Sequence, residues 1–162
     1  MPKICVFADT HEYANNMILA IERERPDMII HLGDGELDLI PVRMRFPDLK
    51  IENVRGNCDT HSTALIVLQT TIHGVNIFAT HGDQEQYNVK EGMDADDYHN
   101  LIFAAKIAGA GVVLFGHTHK PYKDNRLMME VLNPGSCGNV SCPTYGVLTI
   151  HDGTPHTELV YL

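Results

Sequence analysis

Short apolar runs recur along this chain, and most end at a residue type that can bind a metal. "KICVFA" runs into Asp9 and His11, and "DMIIHLG" into Asp34. "KIENVRG" leads to Asn57, "VNIFAT" to His81, and "VVLFG" to His117 and His119. The runs are short and rich in Val, Ile and Phe, which is the pattern of buried strands. Between the first two, "ANNMILAIERERP" places Met17, Ile18 and Ile21 at helical spacing, and Pro26 predicts where that helix ends. Tyr98, Leu101, Ile102 and Ala105 form a second apolar stripe, with Asp94 as an N-cap and Gly109 and Gly111 as closing residues. A weaker helical pattern covers Leu37 to Phe46, with Pro41 inside it. His73-Gly74 and Asp152-Gly153 each separate two strand-like runs and predict tight hairpins. Strands alternating with helices imply an α/β fold. With the hairpins, the expectation is two mixed sheets packed together and flanked by helices.

Composition narrows the class. The chain has 162 residues, 44% hydrophobic and 20% charged, which suits one soluble domain spanning 1–162. No apolar run approaches a membrane span. The first run meets Asp9 too soon for a signal peptide, so a cytoplasmic location is expected. The net charge is −9, from 12 basic and 21 acidic residues. That argues against extended nucleic-acid binding, which needs a basic face. A small phosphate-bearing substrate stays open if something locally positive receives it. Lys and Arg are scarce near the polar run ends, and metal ions would supply that charge. The cysteines are Cys5, Cys58, Cys137 and Cys142, with no C-x-x-C pair. Cys5 lies in an apolar run and is expected to be a core thiol.

Sites in α/β sheets form beyond the carboxyl ends of strands. Taken singly, an Asp there is a turn residue, a Gly-Asn pair is a turn, and a histidine is structural. Five successive run ends of this kind, with Gly33, Gly35, Gly56, Gly82 and Gly116 among them, point instead to one shared site. Carboxylate, imidazole and amide oxygen form a mixed set suited to manganese, iron, nickel, cobalt or zinc. No thiolate cage of the structural-zinc type is present.

The motifs read "DTH" at Asp9, "GD" at Gly33, "GNCD" at Gly56, "THG" at Thr80 and "GHTH" at Gly116. In order and type they resemble the calcineurin-like metallophosphoesterase superfamily, and within it the small YfcE-type phosphodiesterase branch. "NPGS" at Asn133 resembles a further family segment. The resemblance implies a four-layer sandwich of two mixed sheets with helices outside. It implies two divalent metal ions, manganese or nickel foremost, with iron, cobalt or zinc as alternatives. On that pattern Asp9, His11, Asp34 and His119 bind one ion, and Asp34, Asn57, His81 and His117 bind the other. Asp34 then bridges, and Asp34, Asn57 and His81 serve catalysis through the metals. The implied reaction is hydrolysis of a small phosphodiester by a metal-held hydroxide. Two divalent ions set against Asp9, Asp34 and a hydroxide leave roughly one positive charge, which matches a phosphodiester monoanion.

The pattern departs from the wider superfamily at Cys58, where many members carry a histidine thought to protonate the leaving oxygen. A thiol is a poor substitute for imidazolium, so esters with good leaving groups are expected to be preferred. Asp59 reads as a residue that orients its loop. His31 reads as a partly buried non-ligand, and His61 lies close enough to the Asn57 loop to touch substrate. His73, His151 and His156 fall in predicted turns and read as exposed, and His99 falls on the predicted helix. Asn133 and Ser136 read as turn residues near the pocket rim. Lys120 reads as exposed, and Thr118 as a spacer that sets the angle between its flanking histidines. The polar loop Gly82 to Asp97 is a candidate rim or subunit contact. Alternatives are a phosphomonoesterase at the same site, or a non-catalytic scaffold of the same fold, as the retromer subunit of this superfamily is. The metallo-β-lactamase pattern is not met, because "HTHKPY" lacks its Asp-His continuation. No membrane partner is expected. Small members of the family often associate, so a homodimer or higher homo-oligomer is expected.

Overall fold

The computed structural model describes residues 2–93 and 98–162. The first half holds β1 (Lys3–Phe7), α1 (Ala14–Glu24), β2 (Met28–His31), α2 (Leu39–Arg45), β3 (Lys50–Asn53), β4 (Val67–Ile72) and β5 (Val75–Thr80). The second holds α3 (His99–Ile107), β6 (Val112–Leu114), β7 (Tyr122–Arg126), β8 (Met129–Asn133), β9 (Thr144–His151) and β10 (Thr154–Tyr161). The strands form two five-stranded sheets, ordered β10-β9-β1-β2-β3 and β4-β5-β6-β8-β7. Both are mixed. β1, β2 and β3 run parallel, as do β5, β6 and β8, while the outer hairpin strands run antiparallel. Register sets Val6 opposite Ile30 on one side and Gly146 on the other.

The alternation of side chains explains the layers. In β1, Ile4 and Val6 face the other sheet, while Cys5 and Phe7 face the helices. In β6, Val112 and Leu114 point inward and Val113 points outward. One core therefore fills the space between the sheets. A second lies under α1 and α2, where Met17, Ala20, Ile21, Leu39 and Val42 are buried. A third lies under α3, where Leu101, Ile102 and Ala105 are buried. The result is the expected four-layer α/β sandwich.

Both predicted hairpins form. His73 and Gly74 have φ of 46° and 81°, and Asp152 and Gly153 have 49° and 77°, as a tight hairpin turn requires. The α2 helix tolerates Pro41 because the proline sits in the first turn, where its missing N–H has no helical partner anyway. A third hairpin, β7–β8, has no counterpart in the sequence reading. Its turn is Leu127-Met128, both at positive φ, and it lacks the Gly or Asn that marks such turns. Gly109, at φ 74°, follows the end of α3 as expected. The predicted cap Asp94 and the end of the Gly82 to Asp97 loop lie outside the described residues.

Candidate metal centre

The carboxyl ends of the six parallel strands meet at one edge of the sandwich. Three loops of the first sheet bring Asp9 and His11, Asp34, and Asn57. Two loops of the second bring His81 and the His117–His119 pair. One ligand atom each from Asp9, His11 and His119 lie within 4.8 Å of one another, and so do those of Asp9, Asp34 and His81. His11 Nε2 is 3.3 Å from His119 Nε2, and His119 Nε2 is 3.5 Å from Asp9 Oδ1. His81 Nε2 is 3.1 Å from Asn57 Oδ1 and 3.4 Å from Asp34 Oδ2. The H-x-H pair diverges. The His117 ring lies 5.1 Å from the His81 ring, and the His119 ring lies 5.1 Å from the His11 ring.

The loops are locked from beneath. His81 Nδ1 donates to the Leu32 carbonyl at 2.8 Å, which leaves Nε2 facing the cluster. Asp34 Oδ1 accepts from the Cys58 amide at 2.8 Å. Asp59 accepts four backbone N–H groups, from Asp34, Gly35, Glu36 and Gly56, at 2.8–3.0 Å. It orients its loop, as its place in "GNCD" suggested. The Gly33 and Gly56 backbones touch. A β-carbon on Gly56 would sit 2.6 Å from the Asp34 nitrogen, and Gly33 has φ 96°. Thr118 is buried, and its hydroxyl accepts from the Lys120 amide and from Asn133 Nδ2.

Asn133 and Ser136 are not at the rim. Both are buried below the centre, because their side chains satisfy loop backbone. Asn133 Nδ2 donates to the Gly116 carbonyl at 2.9 Å, and Ser136 Oγ donates to the Asp9 carbonyl at 2.8 Å. His31 is fully buried, where partial burial was expected. Its Nδ1 accepts from the Gly33 amide and its Nε2 meets Thr10 Oγ1, so it braces the Gly33–Asp34 turn. His61, His73, His99, His151, His156 and Lys120 are exposed. Cys5 is a buried core thiol, and all four cysteines are free.

The backbone carries a signal that patterning missed. Asp9, His11, Asp34, His117 and His119 all have φ between 42° and 69°. Non-glycine residues rarely adopt this conformation, and clusters of it mark functional sites. Only the density of Gly, Asp and His at the run ends hinted at it.

Electrostatics ask for a cation. Asp9 is fully buried, and among the described residues its Oδ1 has no hydrogen-bond donor. Its Oδ2 accepts from the His117 amide at 3.2 Å. An orphaned buried carboxylate oxygen is costly unless a positive group meets it. Burial would raise the Asp34 carboxyl, but the His81 imidazole and the Cys58 amide outweigh it and hold the group well below the usual range. Burial disfavours a charged His81, yet the Asp34 and Asp9 carboxylates push it up to about 9. The His117 imidazole is pushed down by burial and by its His81 neighbour. The carboxylates thus favour positive charge at this place. None of the described residues lining the cleft over Asp34 is Lys or Arg. The donor set, the orphaned oxygen and the inward Nε2 atoms all fit divalent cations.

The chain from 2 to 153 matches the profile of the calcineurin-like phosphoesterase superfamily domain. It belongs to that superfamily. A probable metallophosphoesterase of Mycoplasma genitalium is 30% identical over 138 residues, covering 84% of this chain and 77% of its own. A phosphodiesterase of Methanocaldococcus jannaschii is 27% identical over 152 residues, covering 90% and 92%. Among solved structures, a predicted phosphoesterase from Streptococcus pneumoniae superposes with TM-score 0.76 at 24% identity, covering 99% of this chain and 89% of that one. Vps29 of Entamoeba histolytica complexed with zinc superposes with TM-score 0.74 at 18% identity, covering 98% of each. At these identities the structural likenesses establish the fold. Membership establishes a metal-dependent phosphoesterase class. Among the described residues, no helix is long and apolar enough to cross a membrane.

Proposed function

We propose that this calcineurin-like protein is a phosphodiesterase dependent on two divalent metal ions that share Asp34. The observation that carries the reading is the buried Asp9 Oδ1, which has no donor among the described residues and lies among His119, His81 and Asp34. Asp9, His11, Asp34 and His119 would hold one ion, and Asp34, Asn57, His81 and His117 the other. The divergence of the two H-x-H rings supports that division. Bound divalent ions would supply positive charge to a phosphoryl oxygen and acidify water enough to serve as a nucleophile near neutral pH.

The chain's own residues set the rest. His81 is oriented by Leu32, and Asp34 by the Cys58 amide and by the Asp59-held turn. Cys58 stands beside the centre, with its thiol sulfur in the same cluster as His11 and Asp34 ligand atoms. Burial and the Asp34 carboxylate push that thiol up to about 11. It keeps its proton at neutral pH but is a weaker acid than imidazolium. Esters whose leaving group needs little protonation are therefore favoured. The Methanocaldococcus phosphodiesterase supports diesters over monoesters, and so does a cleft wall of Glu12, Asp38 and Asp59 that opposes a dianion.

The test is metal analysis of the purified protein, with rates on bis-p-nitrophenyl phosphate and p-nitrophenyl phosphate after chelation and reloading with manganese or nickel. The expected result is about two ions per chain, by the two-metal logic of such sites, and faster diester turnover. Asp34→Ala should lose both occupancy and rate. A faster monoester would turn the reading to phosphatase. A zinc-bound Vps29 of the same fold favours a scaffold as second reading. Metal occupancy without turnover of either ester would select it.

A further inference from the structure

We infer that Leu37, Ile40 and Met44 form an apolar shelf beside the metal centre that takes an uncharged alkyl or aryl arm of the phosphodiester. The inference rests on the phosphodiesterase reading and names the class of substrate. Leu37 lines the cleft that also holds His11, Asp34 and Cys58. It sits in a 3₁₀ turn that continues directly into α2. Residues three and four apart on a helix lie side by side, so Leu37, Ile40 and Met44 make one stripe. Their exposures are 77%, 55% and 80%. The opposite face of the same segment buries Leu39 and Val42 against the first sheet, so the stripe has no role in the core.

Single exposed apolar residues are ordinary, but a row that starts at a reaction cleft is not. At a helical rise of 1.5 Å per residue the row extends about 10 Å from the cleft, close to the reach of an eight-carbon chain. Charge selects the arm's chemistry. The cleft that Leu37 lines also carries Glu12, Asp38 and Asp59, and no Lys or Arg among the described residues that line it. Asp38 Oδ2 accepts from the Glu12 amide, and both Asp59 oxygens are taken by backbone amides. A second phosphate or a carboxylate near Leu37 would face these carboxylates, and the basic residues of α2, Arg43 and Arg45, lie in its last turn, outside the cleft lining. A neutral apolar arm finds Leu37 first, then Ile40 and Met44. The occupant is part of the substrate, because the stripe is continuous with the cleft.

The experiment compares p-nitrophenyl ethyl, hexyl and octyl phosphates, all below their aggregation concentrations, on manganese-loaded protein. The leaving group is constant, so only the arm changes. Complete burial of a methylene gives about a fourfold gain, and a one-sided shelf about half of that. kcat/KM should therefore rise about fifteenfold from ethyl to hexyl. The double variant Ile40→Ser, Met44→Ser should flatten the rise to under about threefold. Both side chains are exposed, so a denaturation midpoint near wild type checks that the variant is folded. Calorimetry with the monoanionic hexyl and ethyl methylphosphonate monoesters, which read binding without turnover, should give the same ratio. Equal rates for ethyl and hexyl in the wild type overturn the shelf while leaving the phosphodiesterase reading intact. A preference that survives in the double variant also overturns it, because the arm then lies elsewhere. If no ester turns over, the phosphodiesterase reading fails. The shelf then stands only if the hexyl methylphosphonate still binds more tightly and the double variant loses that gain. A variant that splits an oligomer without changing the ratio identifies the face as a subunit contact and overturns the proposal.

Discussion

Asp59 is no candidate ligand, yet it should control both stability and the metal centre. Its Oδ1 accepts the Gly35 and Glu36 amides at 3.0 and 2.9 Å, and its Oδ2 the Asp34 and Gly56 amides at 2.8 Å each. Asp59→Asn keeps the shape but only one acceptor oxygen. Whichever way the amide turns, its NH2 faces two N–H donors. Two donors are orphaned, at about 1–3 kcal/mol each when buried. Asp59 is half-buried, which places the total near the lower end, at about 2–3 kcal/mol. Urea denaturation should show the midpoint falling by about 1 M at an unchanged slope. The acid limb gives an independent check. Burial opposes ionisation of Asp59, but its four amide donors outweigh that and lower the carboxyl from its ordinary 3.8. A depressed folded value means the stabilisation is fully present above 3.8 and lost as pH falls through the folded value. The gap between wild type and Asp59→Asn should be flat from about pH 7 to 5 and shrink below about pH 4. A gap under about 0.5 kcal/mol at pH 7, the size of an ordinary surface change, would refute the reasoning. So would a gap that persists undiminished at pH 3. Because the same carboxylate holds the Asp34 amide, metal affinity should also fall by about 10–100-fold, read by chelator competition.

Removing metal with a chelator should lower the melting temperature by about 5–10 °C, since ligand at a hundred times its dissociation constant contributes about 2.7 kcal/mol. An unchanged melting curve on reloading would deny binding to the folded state. Cys58→His should narrow the rate ratio between an activated aryl diester and an alkyl diester, because an imidazolium can protonate the poorer leaving group. An unchanged ratio would remove position 58 from leaving-group chemistry. Gly56→Ala should cost about 2 kcal/mol or more by denaturation, because the added carbon meets the Asp34 backbone and carboxylate. Wild-type stability and metal affinity together would show that the two loops do not need their close approach.

Much of the fold was legible because period and punctuation agreed. Ile4 and Val6 against Cys5 and Phe7 make the inward and outward faces of β1, and His73-Gly74 and Asp152-Gly153 mark their turns. The β7–β8 hairpin was hidden because Leu127 and Met128 occupy a turn that usually carries Gly or Asn, so propensity gave no sign of it. The gathering of the site was legible for a topological reason. Parallel strands put their carboxyl ends on one edge, so Asp9, Asp34 and His81 could converge although far apart in sequence. The bracing beneath was not legible. Asn133 and Ser136 bond to backbone carbonyls of distant loops, His31 meets the Thr10 hydroxyl far along the chain, and no local pattern encodes such partners.

That bracing answers a cost the site imposes on itself. Asp9, His11, Asp34, His117 and His119 each hold left-handed backbone, at roughly 1 kcal/mol or more apiece. Together they weigh about as much as the lower end of a domain's whole net stability. Glycine would relieve the strain but would remove the donor atoms. The strain is instead offset by bonds that hold only when the loops lie together. The Asp9 amide donates to the Gly33 carbonyl, and the Asp9 carbonyl accepts from the Gly138 amide and the Ser136 hydroxyl. The His11 amide donates to the Asp34 carbonyl, and Asn133 holds the Gly116 carbonyl beside His117. Asp9, His11, Asp34 and His117 are thus each tied to a loop other than their own, so these loops do not relax independently. The donor atoms are positioned before any cation arrives, and less ordering remains for binding to accomplish. It follows that Ser136, Asn133 and Asp59, none of them a candidate ligand, govern the metal centre by position. Substituting any of them should lower stability and metal affinity together, whereas losing a half-buried donor such as His119 should lower affinity and leave the metal-free fold nearly unchanged.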